Sequence, residues 1–264
     1  MPNYIFKNQQ LLEEKQAHIS IHDRGLLFGD GIFETCKIAN GKIKNFKAHE
    51  ARIKDGLKTL KFSADISDLE KKSLQLIKKN KLTDGILKIL ISRGTGSLGY
   101  LPTYESEPLI LIQTFLPRKL PEKITLGISS QITPAKNLGK TLNALPYVLA
   151  KIEAQKKNLF DCILFSKEKF IAETSSANIF WVKNGRVFTA AKSCGIVMGT
   201  TRSKLLKTSS VKIFEVEAKI SALKNADEIF LTNASFSVLP VDEFLGRKLQ
   251  KNFGQLFLKL FNEI

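Results

Sequence analysis

The chain has 264 residues, is 43% hydrophobic and carries a formal net charge of +16. A chain of that size and composition can bury a substantial core, as one large domain or as two smaller ones closing over a cleft, and two are expected here. No run of eighteen apolar residues occurs, and Met1-Pro2-Asn3-Tyr4 lacks the basic segment and apolar stretch of a secretory signal, so no membrane span is expected and the expected location is cytoplasmic. The positive charge would suit a nucleic acid. Yet the lysines are scattered from Lys7 to Lys259, many beside acids as in Glu70-Lys71-Lys72, with no interleaved aromatic platform. A solvated lysine-rich surface is therefore expected and nucleic-acid binding is not, although a basic cleft would still favour an anionic cofactor and acidic substrates. Cys36, Cys162 and Cys194 are an odd count without paired metal-ligand spacing, so reduced thiols are expected, no metal site is, and packing is the role of Cys36 and Cys162.

In chain order, strands over 31–38 and 43–46 flank Asn40-Gly41, the dipeptide that most readily takes the positive backbone angles of a tight hairpin. From Ala48 the apolar residues Ile53, Leu57 and Leu60 recur at helical spacing, and Ser67-Asp68-Leu69-Glu70 has the form of a capping box opening a second helix toward Asn80. Two short strands over 85–92 and 109–115, rich in Ile and Leu, should be buried. Pro117 and Pro121 resist both helix and central strand, which predicts a linker at 117–121 between a first α+β domain at 1–116 and a second at 122–264. The second half should open with a strand over 124–129 and a helix from Leu142 through Leu145, Leu149 and Ile152 to about residue 158. Strands come next over 161–166, 177–182 and 187–189, with turns at Lys167-Glu168-Lys169 and Asn184-Gly185, and 228–232 reads as a further buried strand. The expected architecture is α+β in two lobes, with any active site between them.

Lys140 stands after Asn137-Leu138-Gly139 and just before a helical pattern, a loop-to-helix junction that should face a cleft. Among so many lysines spacing alone cannot single it out; the surrounding motifs do. Gly199-Thr200-Thr201-Arg202 opens a helical stretch, where free backbone N–H groups and threonine hydroxyls can hold a dianionic phosphate. Tyr100 comes after the glycine-rich 93–99 loop and is the best candidate for touching substrate, and Phe33 should wall the pocket. His18, His22 and His49 look structural.

Several motifs occur in order: Asp23-Arg24-Gly25, Phe28-Gly29-Asp30-Gly31-Ile32-Phe33-Glu34-Thr35, Arg93-Gly94-Thr95-Gly96, Lys140-Thr141-Leu142-Asn143, Glu173, Asn178-Ile179-Phe180, Gly199-Thr200-Thr201-Arg202 and Leu231-Thr232-Asn233-Ala234. Over nearly its whole length the chain resembles the fold type IV family of pyridoxal phosphate enzymes, which contains branched-chain aminotransferases, D-amino acid aminotransferases and aminodeoxychorismate lyases. The resemblance implies a two-lobed fold like that of D-amino acid aminotransferase and the cofactor pyridoxal 5'-phosphate. Lys140, in the second domain, would be the Schiff-base lysine that also moves the proton, and Glu173 the carboxylate at the pyridine nitrogen, with Asn178 beside it. Thr200, Thr201, Asn233 and Ala234 would hold the phosphate, with Arg52 clamping it from the first lobe. Family members are usually homodimers, so a homodimer is expected, with the segment from Leu98 to Tyr104 acting in trans.

Phe33-Glu34-Thr35, Arg93-Gly94-Thr95-Gly96 with Gly99-Tyr100, and Thr232-Asn233 look similar to aminodeoxychorismate lyases. Leu98-Gly99-Tyr100 lacks the arginine often found there, so a dicarboxylate would need Arg24, Arg93 or a lysine instead. Ala144 stands where many branched-chain aminotransferases have a tyrosine, and Phe33 where D-amino acid aminotransferases usually have one. The expected activity is conversion of aminodeoxychorismate to 4-aminobenzoate and pyruvate in folate synthesis. An aminotransferase on branched-chain or D-amino acids is the alternative, and a non-catalytic lysine-rich binding protein the lesser one.

Overall fold

The computed structural model describes residues 4–102, 106–117, 119–133 and 139–262. Arg118 of the expected linker, Tyr104 of the expected trans segment, and Asn137 and Leu138 before the lysine lie outside the described residues. The chain is α+β and divides into two compact units, Met1–Arg118 with Leu138–Asn143, and Lys119–Asn137 with Ala144–Ile264.

The first unit comprises β1 (Tyr4–Lys7), β2 (Gln10–Glu13), α1 (Arg24–Phe28), β3 (Gly31–Ala39), β4 (Lys42–Ile43), α2 (Phe46–Thr59), α3 (Leu69–Lys79), β5 (Gly85–Ser92) and β6 (Leu109–Phe115). The strands form one antiparallel sheet in the order β2-β1-β6-β5-β3-β4. Alternation along β5 sends Leu87, Ile89 and Ile91 into a core with Ile53 and Leu57 of α2 and Leu76 and Ile77 of α3. β5 and β6 have the expected bounds, and Asn40 and Gly41 take φ of 51° and 69° at the hairpin tip. The hairpin's second strand is shorter than expected: Asn45 turns left-handed at φ 58° and Phe46 already belongs to α2, where it is buried. The capping box at 67–70 does not form, because Asp65 instead accepts from both the backbone N–H and the hydroxyl of Ser67.

The second unit comprises β7 (Thr125–Ile132), α4 (Leu145–Lys156), β8 (Asp161–Phe165), β9 (Ile171–Thr174), β10 (Asn178–Lys183), β11 (Arg186–Ala190), α5 (Thr200–Thr208), β12 (Ile213–Val216), α6 (Ser221–Lys224), β13 (Glu228–Asn233), β14 (Ser237–Pro240), β15 (Glu243–Phe244), β16 (Arg247–Lys248) and α7 (Asn252–Asn262). Its mixed sheet runs β12-β11-β10-β9-β8-β7-β15-β16, with β13 pairing β10 and β14. β10 is apolar on both faces: Ile179 and Trp181 enter one core, while Phe180 and Val182 enter another with Leu205 and Phe257. Helix α4 begins at Leu145 behind Ala144, not at Leu142, because the chain before it is held in extended pairing on the first unit's sheet.

Close backbone approach fixes one glycine of the Arg93-Gly94-Thr95-Gly96 loop. Gly94 has φ +89°, and an added Cβ would lie 1.7 Å from the Glu107 carbonyl oxygen. Gly185 has φ +70° with open space around it. Gly94→Ala is therefore expected to cost about 3 kcal/mol or more, and Gly185→Ala about 1 kcal/mol. Denaturant unfolding of the two variants checks this, and equal midpoints would contradict the close approach.

Candidate active site

The lysine segment is held by backbone pairing. Residues 140–142 lie along β3: Phe33 N–H donates to the Lys140 carbonyl at 3.0 Å, Leu142 N–H to the Gly31 carbonyl at 2.9 Å, and Ile32 bridges Thr141. Gly31 is required there, since a Cβ would meet the Ile91 carbonyl oxygen at 2.5 Å and Leu142 at 2.7 Å. Lys140 Nζ stands 4.1 Å from the centre of the Phe33 ring. The sequence pattern places this lysine in the second domain; the segment belongs to the first unit, because its hydrogen bonds go to β3.

Two arginine–carboxylate clusters stiffen the same unit. Glu34 on β3 is buried and receives Arg52 of α2 bidentately, Nε at 2.6 Å and Nη2 at 2.7 Å, with His49 Nδ1 2.7 Å away. Sequence reasoning uses Glu34 only as part of a motif and misses it as the anchor of Arg52. In the other cluster Asp30 takes both Arg24 and Arg93. Burial pushes the Asp30 carboxyl up, but the two guanidinium groups outweigh it and hold it below the usual range. Arg24 also donates to the carbonyls of Ser97, Gly99 and Tyr100 and lies against the Phe28 ring, which itself meets the Tyr100 ring. Arg93 is turned onto the Leu60 carbonyl at 2.6 Å and the Phe62 ring. Both arginines named as substitutes for a carboxylate clamp are thus committed to shaping the 93–100 loop. Tyr100 itself is 87% exposed.

In the second unit Glu173 on β9 is buried at 3% exposure. Its carboxylate accepts the Tyr147 hydroxyl at 2.8 Å, the Asn178 amide at 3.0 Å and the Val197 N–H at 3.1 Å to each oxygen. Asn178 also donates to the Val197 carbonyl. An added Cβ on Gly199 would lie 2.1 Å from Asn178 Oδ1, so the glycine before α5 is required by the asparagine behind it. Thr200 and Thr201 are buried in the first turn of α5, where Gly199 offers no capping side chain to the helix N-terminus. Arg202 is fully buried; Nη2 bonds Glu215 and the Ala190 carbonyl, while Nε and Nη1, like the buried Thr232 Oγ1, have no hydrogen-bond partner among the described residues. Orphaned buried donors of this kind, beside an uncapped helix N-terminus, fit an anionic group. Asn233 spends its amide on the chain, donating to the Ser176 carbonyl and accepting from Ser235 and Phe236 N–H, so it shapes the loop holding Ala234. Tyr147 and Val197 are not foreseen from sequence, and no local signal points to them, since they lie 26 and 24 residues from Glu173. Among the described residues Cys36, Cys162 and Cys194 are buried and none is in a disulfide.

With this geometry in view, comparison with known proteins is specific. The model of the family described as "Amino-transferase class IV" matches residues 31–244. The chain is 32% identical, over 97% of its length and 93% of the relative's, to a Methanocaldococcus jannaschii protein named "Putative branched-chain-amino-acid aminotransferase". It is 29% identical to the aminodeoxychorismate lyase of Vibrio harveyi, over 86% of this chain and 87% of that one. In three dimensions it is similar to the Escherichia coli branched-chain amino acid aminotransferase, with a TM-score of 0.93 at 22% identity, covering 100% of this chain and 95% of that one. The chain belongs to the class IV aminotransferase family and has the fold type IV architecture of its pyridoxal phosphate enzymes.

The Glu34 cluster has a pH signature. Burial pushes the Glu34 carboxyl up, but hydrogen bonds from His49 and Arg52 outweigh it and bring it down to about 2, from 4.5. Its contribution to stability is complete above the unfolded value and is lost as pH falls through about 2. The shift corresponds to on the order of 3 kcal/mol. Acid unfolding followed by circular dichroism should show this loss in the wild type and a shallower pH dependence in Glu34→Gln; identical slopes would remove Glu34 from the account.

Proposed function

We propose that the protein is a pyridoxal 5'-phosphate enzyme with Lys140 as the amine that carries the cofactor. Glu173 is the carboxylate facing the ring nitrogen, and Thr200, Thr201, Ala234 and Arg52 serve the phosphate. The observation that carries this reading is the buried Glu173 carboxylate, met by hydrogen-bond donors from Tyr147, Asn178 and Val197, the setting a partner for a protonated ring nitrogen requires. The bound cofactor supplies an electron sink for the carbon bearing the substrate's amine. Lys140 takes the proton from that carbon, and the Phe33 ring beneath its Nζ limits where the ammonium can swing. Arg52, the proposed phosphate guanidinium, is aligned by Glu34. Arg93 acts through Asp30 on the shape of its loop.

Within the family the proposed reaction is that of an aminodeoxychorismate lyase. A proton leaves the ring carbon bearing the amine, the bond to the enolpyruvyl oxygen breaks, and Lys140 returns a proton to the departing group. The products are 4-aminobenzoate and pyruvate. The Phe33-Glu34-Thr35 and Gly99-Tyr100 motifs and the Vibrio harveyi relative support it. A class IV aminotransferase on branched-chain or D-amino acids is the second reading, favoured by the higher identity to the Methanocaldococcus jannaschii protein. Incubation with aminodeoxychorismate should yield 4-aminobenzoate. Glutamate formed from an amino acid and 2-oxoglutarate, without 4-aminobenzoate, would replace the lyase with the aminotransferase. Purified protein should be yellow, and Lys140→Ala should lose the colour, the borohydride-stable adduct and at least about a thousandfold in rate. A colourless wild type unchanged by added cofactor would favour a non-catalytic binding protein.

A cytoplasmic homodimer is part of the same proposal. No described helix is long and apolar enough to cross a membrane. Leu145, Val148, Leu149 and Ile152 form an exposed apolar stripe on α4, a surface a second copy would cover. Light scattering should give a dimer, and Leu149→Lys with Ile152→Lys should shift it toward monomer; an unchanged mass would exclude this stripe from the interface.

A further inference from the structure

We infer that Tyr147 is a positioning residue that sets the strength of the contact between Glu173 and the cofactor's ring nitrogen. The inference rests on reading Glu173 as that partner, and deepens it. Tyr147 lies in the first turn of α4, and its hydroxyl donates to Glu173 Oε1 at 2.8 Å. Asn178 at the start of β10 donates to Oε2 at 3.0 Å, and the Val197 N–H spans both oxygens. Donors from three separate segments therefore fix the plane of one buried carboxylate, with a side chain on each oxygen. Such a carboxylate cannot rotate without breaking a charge-assisted hydrogen bond.

Chemistry sets the direction of Tyr147's influence. Burial, and then the negative charge and hydrogen bond of Glu173, push the Tyr147 phenol well above its usual range, so it remains a donor at working pH. A phenol donating to a carboxylate spreads the negative charge and lowers its basicity, so a proton shared with a pyridine nitrogen stays on the nitrogen. Glu173 would do this job with Asn178 and Val197; Tyr147 adds control over orientation and basicity together. Its own packing does not require the hydroxyl, since Tyr147→Phe keeps the ring and deletes only the donor. The competing explanation is that the hydroxyl merely ties α4 to β9.

The two explanations differ in whether Tyr147 senses the ring nitrogen. Apoenzyme is titrated with pyridoxal 5'-phosphate and with its 1-deaza analogue, which has a ring C–H in place of the nitrogen, for wild type, Tyr147→Phe and Glu173→Gln. Wild type should prefer the natural cofactor, and Glu173→Gln should abolish that preference. Tyr147→Phe should reduce the preference roughly three- to tenfold while leaving the affinity for the deaza analogue unchanged. If Tyr147→Phe weakens both ligands equally, or neither, while Glu173→Gln abolishes the preference, the tyrosine is only a helix tie and the inference fails. If Glu173→Gln leaves the preference intact, the assignment of Glu173 fails, and the inference falls with it.

Discussion

A carboxylate taken out of water must be met by donors, and that requirement organises everything of chemical interest in this chain. Glu34 and Glu173 are buried and Asp30 is partly buried, and each draws together segments distant in sequence. Asp30 gathers α1 and the 93–100 loop, Glu34 joins β3 to α2, and Glu173 ties β9 to α4, β10 and the chain before α5. A backbone that satisfies these charges has little freedom left in those segments.

Arg24, Arg93, Arg52 and Arg202 are each held by a carboxylate of the protein. Arg24 and Arg93 face each other across one carboxylate, and their remaining donors go to carbonyls and aromatic rings of their own unit. Arg52 is aligned by Glu34, while Arg202 is entirely buried with two nitrogens that have no partner among the described residues. A buried guanidinium is tolerable only if its charge is compensated, which Glu215 does for Arg202. Loop residues 97–101 are shaped by the Arg24 clamp yet expose Leu98, Tyr100 and Leu101, so this loop can change its side chains without disturbing the scaffold.

A shared scaffold explains why lyases and aminotransferases are comparably similar to this chain. Cofactor chemistry needs a lysine, an ionised carboxylate and an anion cradle, and these do not distinguish the reactions. The fate of the substrate once its proton is removed depends on its own leaving group and on the loops around it.

Much of the fold was legible in the chain itself. Short runs rich in Ile and Leu gave β5 and β6, Asn40-Gly41 gave its hairpin, and ordered motifs gave the family. Local pattern failed where long-range hydrogen bonds competed with it: the capping box lost Ser67 to Asp65, and Leu142 joined β3 instead of starting α4. The sequence by itself determined which residue types are available for catalysis and roughly which element carries each, because both depend on local periodicity and motif. Only the tertiary structure decided that Lys140 rides on the first unit's sheet, that Arg93 is committed to Asp30, and that Tyr147 reaches Glu173, because these depend on which distant segments a buried charge brings into hydrogen-bond range.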